Sequence, residues 1–294
     1  MGYTLRDLFY KGMKNNISKE ERDYYIKHFM SEEEIEIGKP LFEMDEYEKV
    51  KYEVLTYNNT EGDLIGYDCK LCKNKGNIYF LKDNKKYVKD CKCIKLRNTF
   101  IMLEKYGLLY EFSVCRFETF ICESKWQSKL LDKCKQFVES KVKAIALLGQ
   151  TGCGKTHLSM AILRQFALQF KTVAYMRWVE DSKALKQVTN DNGMYQASIY
   201  PYKNCDVLYI DDLFKGDMTE ADRKIAFEII DYRYKLSRSN DRYITIISSE
   251  RTFEEIRQFD EAIAGRIAEM TNKEYILQIG KDENKNYRLK GIIW

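Results

Sequence analysis

The chain has 294 residues, of which 45% are hydrophobic and 32% are charged, and its formal net charge is +4. This composition is typical of a folded globular protein and excludes an extended disordered chain. It contains no apolar run of about eighteen residues, so we expect no membrane span, and its first residues lack the apolar core of a secretory signal. We expect a cytoplasmic protein, in the host cytoplasm if the gene is viral, whose nine cysteines are metal ligands or free thiols.

The N-terminal part of the chain predicts short helices. Residues 18–21 and 31–34 each fit a capping box, in which a hydroxyl and a carboxylate satisfy the free N–H groups where a helix begins. Apolar side chains recur at helical spacing over residues 44–55, and residues 96–111 predict a helix that connects the two parts of the chain. These helices either serve as scaffold alone or form a small module that docks a partner.

Two pairs of cysteines enclose a predicted hairpin. Cys69 and Cys72 precede the runs IYFL and KYV, which are joined by KDNK, and Cys91 and Cys93 follow them. The hairpin would return the second pair to the first, and four thiolates form a closed tetrahedral Zn²⁺ site of the structural kind. The sequence therefore predicts a zinc site at these four residues, with free thiols as the alternative.

The same segment is basic, and aromatic residues lie among its lysines. A strip of this kind could hold a nucleic-acid backbone and stack bases, face an acidic partner, or simply keep a small domain soluble. The residues concerned are Lys82, Lys85, Lys86, Lys89, Lys92, Lys95, Arg97, Tyr79, Phe80 and Tyr87.

From about residue 113 the pattern changes to apolar runs of strand length that alternate with amphipathic helices. The strand-like runs are AIALLG, VAYM, VLYID, YITIIS and YILQI, and residues 155–170 and 220–236 have helical periodicity. Near-continuous apolar strands separated by helices are typical of a parallel sheet covered on both faces. We therefore predict a small helical zinc-ribbon domain over residues 1–108 and an α/β domain, with a parallel sheet between helices, over residues 109–294.

The stretch GQTGCGKT, residues 149–156, matches the phosphate-loop pattern G-x-x-x-x-G-K-[ST] in full. An apolar strand precedes it and a helix follows, so backbone N–H groups and the helix N-terminus would face the phosphates of ATP. Lys155 would reach the β- and γ-phosphates, and the Thr156 hydroxyl would bind Mg²⁺. The residues predicted to bind the nucleotide are Gly149, Gln150, Thr151, Gly152, Cys153, Gly154, Lys155, Thr156 and His157.

The apolar run CDVLYIDDLF carries two aspartates at its end, where a phosphate-loop enzyme needs an acidic group. Asp211 would hold Mg²⁺ through water beside Thr156, and Asp212 would orient and deprotonate the attacking water. A carboxylate that activates water indicates hydrolysis, so the sequence predicts an ATPase. A small-molecule kinase is disfavoured because no separate acceptor-binding lid is evident.

Four segments, GQTGCGKTHLSMAI, VLYIDDLF, IIDYRY and TIISSE, together resemble the DnaC/DnaI family of bacterial and phage helicase loaders, which are AAA+ ATPases. The transposition helper IstB shares this ATPase core, and the resemblance covers residues 112–294. It implies a P-loop AAA+ fold, a DnaB-type replicative helicase as partner, binding to single-stranded DNA and self-assembly on ATP. In loaders similar to DnaI, a zinc-binding N-terminal module engages the helicase.

The resemblance also implies roles for residues beyond the loop. Arg266 in AGRIAEM matches the arginine finger that reaches the γ-phosphate of a neighbouring subunit, and Arg288 in NKNYRLK matches a sensor-2-like arginine. On the residues alone, a surface arginine is the simpler interpretation of both. Ser249 and Glu250 occupy the sensor-1 region, and the sequence leaves open which of them acts there.

Two further expectations follow from the same likeness. Initiator-type AAA+ proteins have an extra helix after the second strand that lines a single-strand channel, so Lys183 and Lys186 are predicted to contact single-stranded DNA. Phe117 and Phe120, ahead of the ATPase core, are expected near the adenine base.

The sequence thus predicts an ATP-dependent loader of the replicative helicase onto single-stranded DNA, which hydrolyses ATP and uses ATP, Mg²⁺ and Zn²⁺. Two alternatives stay open. One is an IstB-like ATPase that assists a transposase, and the other is an ATP-binding zinc adaptor with negligible hydrolysis.

Overall fold

The structure is a computed structural model that describes residues 30–216, 218–282 and 285–287, together with Lys19, Asp23 and Lys27. The chain divides into two compact units, Met1–Ile94 and Lys95–Trp294. The capping residues Ser18 and Glu21 and the predicted sensor-2 arginine Arg288 lie outside the described residues. The predicted domain boundary after residue 108 stays a prediction.

In the first unit, helices are followed by a hairpin. The elements are α1 (Glu32–Ile37), a 3₁₀ turn (Leu41–Glu43), α2 (Glu46–Asn59), β1 (Asn77–Lys82) and β2 (Lys85–Asp90). Ser31 caps α1 by accepting a hydrogen bond from the Glu34 N–H, and the Glu34 carboxylate accepts one from the Ser31 N–H, so this capping box is confirmed. Asp45 caps α2 through the Glu48 N–H, and the helix therefore begins at Glu46 rather than at residue 44.

The predicted hairpin is also confirmed. β1 and β2 pair antiparallel, with Phe80 opposite Tyr87. Asp83 and Asn84 form the two-residue turn, and both have positive φ, 50° and 59°. Short polar side chains adopt this conformation more easily than other non-glycine residues, because they hydrogen-bond to nearby backbone.

The predicted connecting helix is wrong in its extent. Helix α3 (Cys93–Lys105) ends just before Gly107, whose φ is +68°, and a second helix, α4 (Leu109–Val114), follows. Glycine enters this left-handed conformation without the clash that a Cβ would make, and the Leu108 N–H then bonds back to the Leu103 carbonyl oxygen at 2.8 Å. Apolar residues continue on both sides of the break, so their spacing predicted one helix where the chain forms two.

The described part of the second unit is built on a parallel five-stranded sheet. Its strands are β3 (Ala144–Gly149), β4 (Val173–Arg177), β5 (Val207–Asp211), β6 (Ile244–Ser249) and β7 (Ile276–Ile279). They lie in the order β4–β5–β6–β3–β7, and every neighbouring pair is parallel. The predicted α/β fold with a parallel sheet is confirmed. β6 lies between β3, which leads into the phosphate loop, and β5, which ends in the aspartates.

Helices alternate with these strands. They are a 3₁₀ turn (Phe117–Thr119), α5 (Lys125–Glu139), α6 (Lys155–Leu168), α7 (Trp178–Gln187), α8 (Asn192–Asn204), α9 (Glu220–Ser239), α10 (Phe253–Phe259) and α11 (Glu261–Met270). The predicted helices after the phosphate loop and after the aspartates begin where expected, and α7 lies where the extra helix was expected. Among the helices that the structure describes, none has both the length and the apolar character to cross a bilayer.

A fully buried arginine fixes one end of the sheet. Arg233, on α9, donates to the backbone carbonyl oxygens of Cys205 (3.0 Å) and Ile244 (2.6 Å) and to Thr245 Oγ1 (2.9 Å). A buried guanidinium is tolerated only where its N–H groups find acceptors, and the starts of β5 and β6 supply them here. Arg233 thereby holds together two strands whose carboxyl ends carry the candidate site.

Candidate functional site

The phosphate loop joins β3 to α6, and its backbone requires glycine. Gly149, Gly152 and Gly154 have φ values of +102°, +74° and +95°. A Cβ at Gly149 would also lie 2.1 Å from the Ile279 carbonyl oxygen of β7, which no side chain tolerates. The backbone of the loop therefore makes the tight turns that let successive N–H groups point at a phosphate.

The ammonium of Lys155, the first residue of α6, lies inside this loop. Its Nζ donates to the carbonyl oxygens of Gly149 (2.8 Å) and Gln150 (2.7 Å). Burial lowers the pKa of Lys155, while the nearby carboxylates of Asp212 and Glu250 favour its charged form. A bound anion could accept hydrogen bonds from Lys155 Nζ in place of these two carbonyl oxygens. It would then contact a partly desolvated cation that is already in position.

The loop borders a cavity of about 220 Å³. The residues that line it are Thr151, Gly152, Gly154, Lys155, Thr156, His157, Asp212, Lys215 and Glu250. Thr156, a predicted Mg²⁺ ligand, thus shares one cavity with Asp212, whereas Asp211, the other predicted Mg²⁺ ligand, is not among the residues that line it. Hydroxyl and carboxylate oxygens are the ligands that Mg²⁺ prefers. These residues fit the phosphates of a nucleotide together with Mg²⁺.

A larger cleft of about 1500 Å³ adjoins the cavity and shares Thr151, Lys215 and Glu250 with it. Size alone would favour the cleft as the binding site. The phosphate-loop lysine and Asp212 line the smaller cavity, however, so we assign the phosphates to the smaller cavity and regard the cleft as its open continuation.

The aromatic segment ahead of the core packs against the start of α6. The ring centroids of Phe120 and His157 lie 5.3 Å apart, and a Cβ at Gly154 would come within 2.7 Å of the Phe120 ring. His157 Nε2 lies 2.9 Å from the Arg116 carbonyl oxygen. Phe120 therefore lies beside the phosphate loop, whereas Phe117 is buried, and their expected proximity to adenine stays a prediction.

Asp211, the last residue of β5, is surrounded by hydroxyl groups. Tyr209 and Ser248 donate to its Oδ1, each at 2.6 Å, and Tyr175 donates to its Oδ2 at 2.7 Å. Burial, reinforced by this carboxylate, raises the pKa of Tyr175 and of Tyr209, so both hydroxyls keep their protons. Three donors thus hold one charged carboxylate in a fixed orientation at the end of the strand.

Asp212 follows with φ +57°, an uncommon conformation for a residue other than glycine. Its N–H donates to the Ser248 hydroxyl at 3.1 Å, and its Oδ2 accepts from Lys215 Nζ at 2.8 Å. Lys215 Nζ also lies 2.9 Å from Glu250 Oε1. Burial opposes the ionisation of Glu250, but hydrogen bonds from Lys215 and Thr151 outweigh it and lower its pKa. The Lys215 ammonium therefore bridges two carboxylates that line the cavity.

The two sensor-1 candidates occupy different environments. Glu250 lines the cavity, whereas Ser249 is buried and donates to the Leu213 carbonyl oxygen at 2.6 Å. The preceding residue, Ser248, which no motif in the sequence singles out, contacts both aspartates. β5 and β6 pair with Ile210 opposite Ile247, which brings Ser248 level with Asp211, and no local pattern in the sequence reveals that register.

The predicted arginine finger lies on α11 and is not among the residues that line the cavity. Arg266 Nε donates to Asp231 at 2.7 Å, and its guanidinium lies 4.7 Å from the Phe227 ring centroid. Its side chain keeps 26% of its surface exposed. The arginine is thus held in place within its own chain while still reaching the surface.

The two predicted DNA contacts on α7 differ from each other. Lys183 is exposed. Lys186 forms an ion pair of 2.7 Å with Asp222, whose carboxylate is buried at the first turn of α9. Lys186 therefore has a structural partner that binding to DNA would have to displace.

The four predicted zinc ligands come together in the first unit. The sulfur atoms of Cys69, Cys72, Cys91 and Cys93 all lie within 4.8 Å of one another, and the four residues are buried. The Cys69–Cys91 and Cys72–Cys93 sulfur separations are 3.7 and 3.6 Å. Tetrahedral Zn²⁺ with Zn–S bonds of about 2.3 Å places its sulfurs about 3.8 Å apart, so the cluster has the dimensions of a zinc site.

Two of these thiols have an altered acidity, and burial raises the pKa of Cys91. Burial favours the neutral form of Cys72, but the Gly76 N–H, which donates to its sulfur at 3.3 Å, and the neighbouring cysteines outweigh burial and lower its pKa to about 7.

Four lysines of the basic strip, Lys82, Lys85, Lys86 and Lys89, lie on the adjacent hairpin, where β2 is exposed throughout. There Lys86 pairs with Glu53 at 2.6 Å, and Lys89 lies over the Phe80 ring. The strip is wrong in its extent, because Lys95 and Arg97 lie on α3 in the second unit and Arg97 is buried.

Residues 117–291 match the family model described as IstB-like ATP binding protein. The phage-like element PBSX protein XkdC of Bacillus subtilis strain 168 is 30% identical over 264 residues, which cover 85% of this chain and 96% of XkdC. The replicative helicase loader DnaC of Escherichia coli K12 is 25% identical over 177 residues, which cover 56% of this chain and 71% of DnaC. The structure of AMPPCP-bound DnaA from Aquifex aeolicus aligns with a TM-score of 0.47 and 22% identity over 60% of this chain and 52% of that one, too weakly to support an inference.

The family match covers more than half of the chain and includes the phosphate loop, both aspartates and every strand of the parallel sheet. The chain belongs to the IstB-like ATP-binding protein family, and its second unit is a P-loop ATPase.

Proposed function

We propose that the protein is an ATP-dependent loader of a DnaB-type replicative helicase onto single-stranded DNA, and that it hydrolyses ATP in doing so. The observation that carries the proposal is the cavity in which the phosphate loop, Lys155 and Asp212 come together on a domain of this family. The similarity to the helicase loader DnaC supports the choice of partner.

ATP binds in this proposal with its β- and γ-phosphates against the loop N–H groups and Lys155. Lys155 exchanges its bonds to the Gly149 and Gln150 carbonyls for bonds to phosphate oxygens. Mg²⁺, when bound, neutralises charge on the β- and γ-phosphate oxygens. Thr156 would hold it directly and Asp211 through water, and the three hydroxyls that orient Asp211 support that role.

Asp212 is the proposed base for hydrolysis. It orients a water molecule and takes its proton as the water oxygen bonds to the γ-phosphorus. The bond from that phosphorus to the bridging oxygen then breaks, and ADP leaves with the oxygen. Arg266 of a neighbouring subunit would neutralise charge on the γ-phosphate, and Arg288 and Glu250 are the proposed sensors of the same group. An arginine that acts across a subunit boundary makes hydrolysis depend on assembly.

The first unit is the proposed helicase-binding module. Buried sulfurs at zinc-like separations support a structural Zn²⁺ at Cys69, Cys72, Cys91 and Cys93, which would hold the hairpin against the preceding loop. Exposed Lys183 on α7 is the proposed contact to single-stranded DNA, and its exposure supports that role.

Two rival functions each have an observation in their favour. The match to the IstB-like family supports an ATPase that assists a transposase. The ion pair between Lys215 and Asp212 supports an ATP-binding zinc adaptor that barely hydrolyses, since it occupies the proposed base.

Co-purification with the replicative helicase, encoded by the host or by the same phage, tests the proposal. The protein should retain the helicase, with retention that changes between Mg-ATP and ADP. Lys155→Ala should abolish that nucleotide dependence, and Lys129→Ala, which alters an exposed lysine on α5, should preserve it. Failure to retain the helicase with any nucleotide, by protein that binds ATP, would reject the loader function, and retention of a transposase instead would favour the IstB-like rival.

A further inference from the structure

Lys215 belongs to none of the motifs described above, yet it lies within the ATPase site. It lines the same cavity as Lys155, and its Nζ donates to Asp212 Oδ2 at 2.8 Å and to Glu250 Oε1 at 2.9 Å. Hydrogen bonds to these carboxylates raise the pKa of Lys215, so it carries a full positive charge at neutral pH. Two ammonium groups and two carboxylates therefore line a space of about 220 Å³ next to the phosphate loop.

The ion pair between Lys215 and Asp212 conflicts with the proposed role of Asp212 as the base that activates water. The Asp212 oxygen that accepts from Lys215 Nζ is engaged by an ammonium group and not by a water molecule. Without a cation beside them, however, Asp212 and Glu250 would repel the γ-phosphate of an entering triphosphate. One ammonium that can change partners resolves both difficulties.

We propose that Lys215 is a second phosphate-binding cation of this site: it binds the γ-phosphate of ATP and in so doing releases Asp212 to act on water. The γ-phosphate carries more charge than a carboxylate and offers several acceptor oxygens, so it competes well for the ammonium. Lys215 transfers no proton and only donates hydrogen bonds. ADP lacks the γ-phosphate, so Lys215 stays with Asp212 when ADP is bound. This role of Lys215 rests on the proposed hydrolysis of ATP but not on helicase loading, and it applies whichever partner the protein serves.

Calorimetric titration with ADP and with a non-hydrolysable ATP analogue, both with Mg²⁺, tests this role. In Lys215→Met we expect the affinity for the analogue to fall about tenfold and the affinity for ADP to change less than about twofold. Lys215→Arg should recover part of the loss, because it keeps the charge. The matched control is Lys133→Met, which alters a lysine of similar exposure that pairs with Glu274 on the surface. Equal changes for the two ligands, or no change for either, would overturn the proposal.

A second comparison separates phosphate binding from simple neutralisation of Asp212 and Glu250. In an Asp212→Asn/Glu250→Gln background, Lys215→Met should again lower the affinity for the analogue several-fold relative to that double variant alone, because the lost contact is to phosphate. If Lys215→Met has no effect in that background, Lys215 only offsets the charge of the two carboxylates, and the proposal is rejected.

Discussion

Ser248 Oγ lies 2.6 Å from Asp211 Oδ1, and the same hydroxyl accepts the Asp212 N–H at 3.1 Å. One buried side chain on β6 thus contacts both aspartates at the end of β5. Because β6 lies between β5 and β3, Ser248 also lies between the acidic strand end and the strand that leads into the phosphate loop. Ser248 therefore fixes the orientation of the acidic pair.

We predict that Ser248→Ala lowers the kcat for ATP about tenfold, because Asp211 loses a donor and the Asp212 N–H loses its acceptor. Unfolding in urea should show a loss of about 1–2 kcal/mol. Ser249→Ala is the matched control. It removes a bond to the Leu213 carbonyl oxygen and a bond from the Arg251 N–H, so it should cost similar stability and leave kcat within about twofold. Similar kcat values for the two variants would contradict the claim that Ser248, and not Ser249, orients the aspartates.

Local sequence patterns predict some features of this site and not others. The phosphate loop, the strands and the cysteine pairs were predicted because each depends on residues that lie close together along the chain. Ser248 and Lys215 were missed because their importance depends on the register of β6 beside β5 and on a turn after Asp212. The break at Gly107 was missed for a related reason, since a single glycine leaves the apolar spacing around it intact.

Metal content tests the cysteine cluster. We predict about one Zn²⁺ per chain for the wild-type protein, and loss of the metal in Cys72→Ser because a hydroxyl is a poor zinc ligand. Cys122→Ser, which alters an exposed cysteine outside the cluster, should keep the metal. ATP binding by the second unit should survive the loss of zinc. A wild-type zinc content far below one per chain would contradict the zinc site and show that the four cysteines are free thiols.

The two lysines on α7 should respond differently to substitution. Lys183→Ala should weaken binding to single-stranded DNA about threefold, with a smaller dependence on salt and unchanged stability. Lys186→Ala should cost about 1–3 kcal/mol of stability, because it leaves the buried Asp222 carboxylate without its cation. Unchanged DNA affinity in Lys183→Ala would remove it from the DNA-binding surface.

The stability difference for Lys186→Ala should also depend on pH. Burial opposes the charged form of Asp222, but Lys186 and Thr219 outweigh burial and hold its pKa below the ordinary value of 3.8. The contribution of the ion pair is therefore fully present above that value and is lost as the pH falls through the lower pKa of the folded protein. Urea unfolding of the wild-type protein and of Lys186→Ala at neutral and acidic pH measures this dependence. If the difference in their free energies of unfolding is the same in acid, the ion pair is excluded as its cause.

Mixing experiments test whether Arg266 acts on a neighbouring subunit. Arg266→Ala should still bind ATP but lose most hydrolysis, because the γ-phosphate would lack a cation from the adjacent chain. Lys155→Ala should be inactive because it fails to hold the nucleotide. A mixture of the two should recover part of the activity, since an intact Lys155 in one subunit then meets an intact Arg266 from the other. Normal turnover by Arg266→Ala alone would reject the assignment.

Unwinding of an oligonucleotide annealed to circular single-stranded DNA is the most direct test of the loader function. The circle has no free end, so a hexameric helicase has to be opened or assembled around the strand before it can unwind. We predict rapid unwinding with helicase, ATP and the wild-type protein, and only the slow basal rate when the protein is omitted or replaced by Lys155→Ala. Equal rates with and without a wild-type protein that binds ATP would contradict the account.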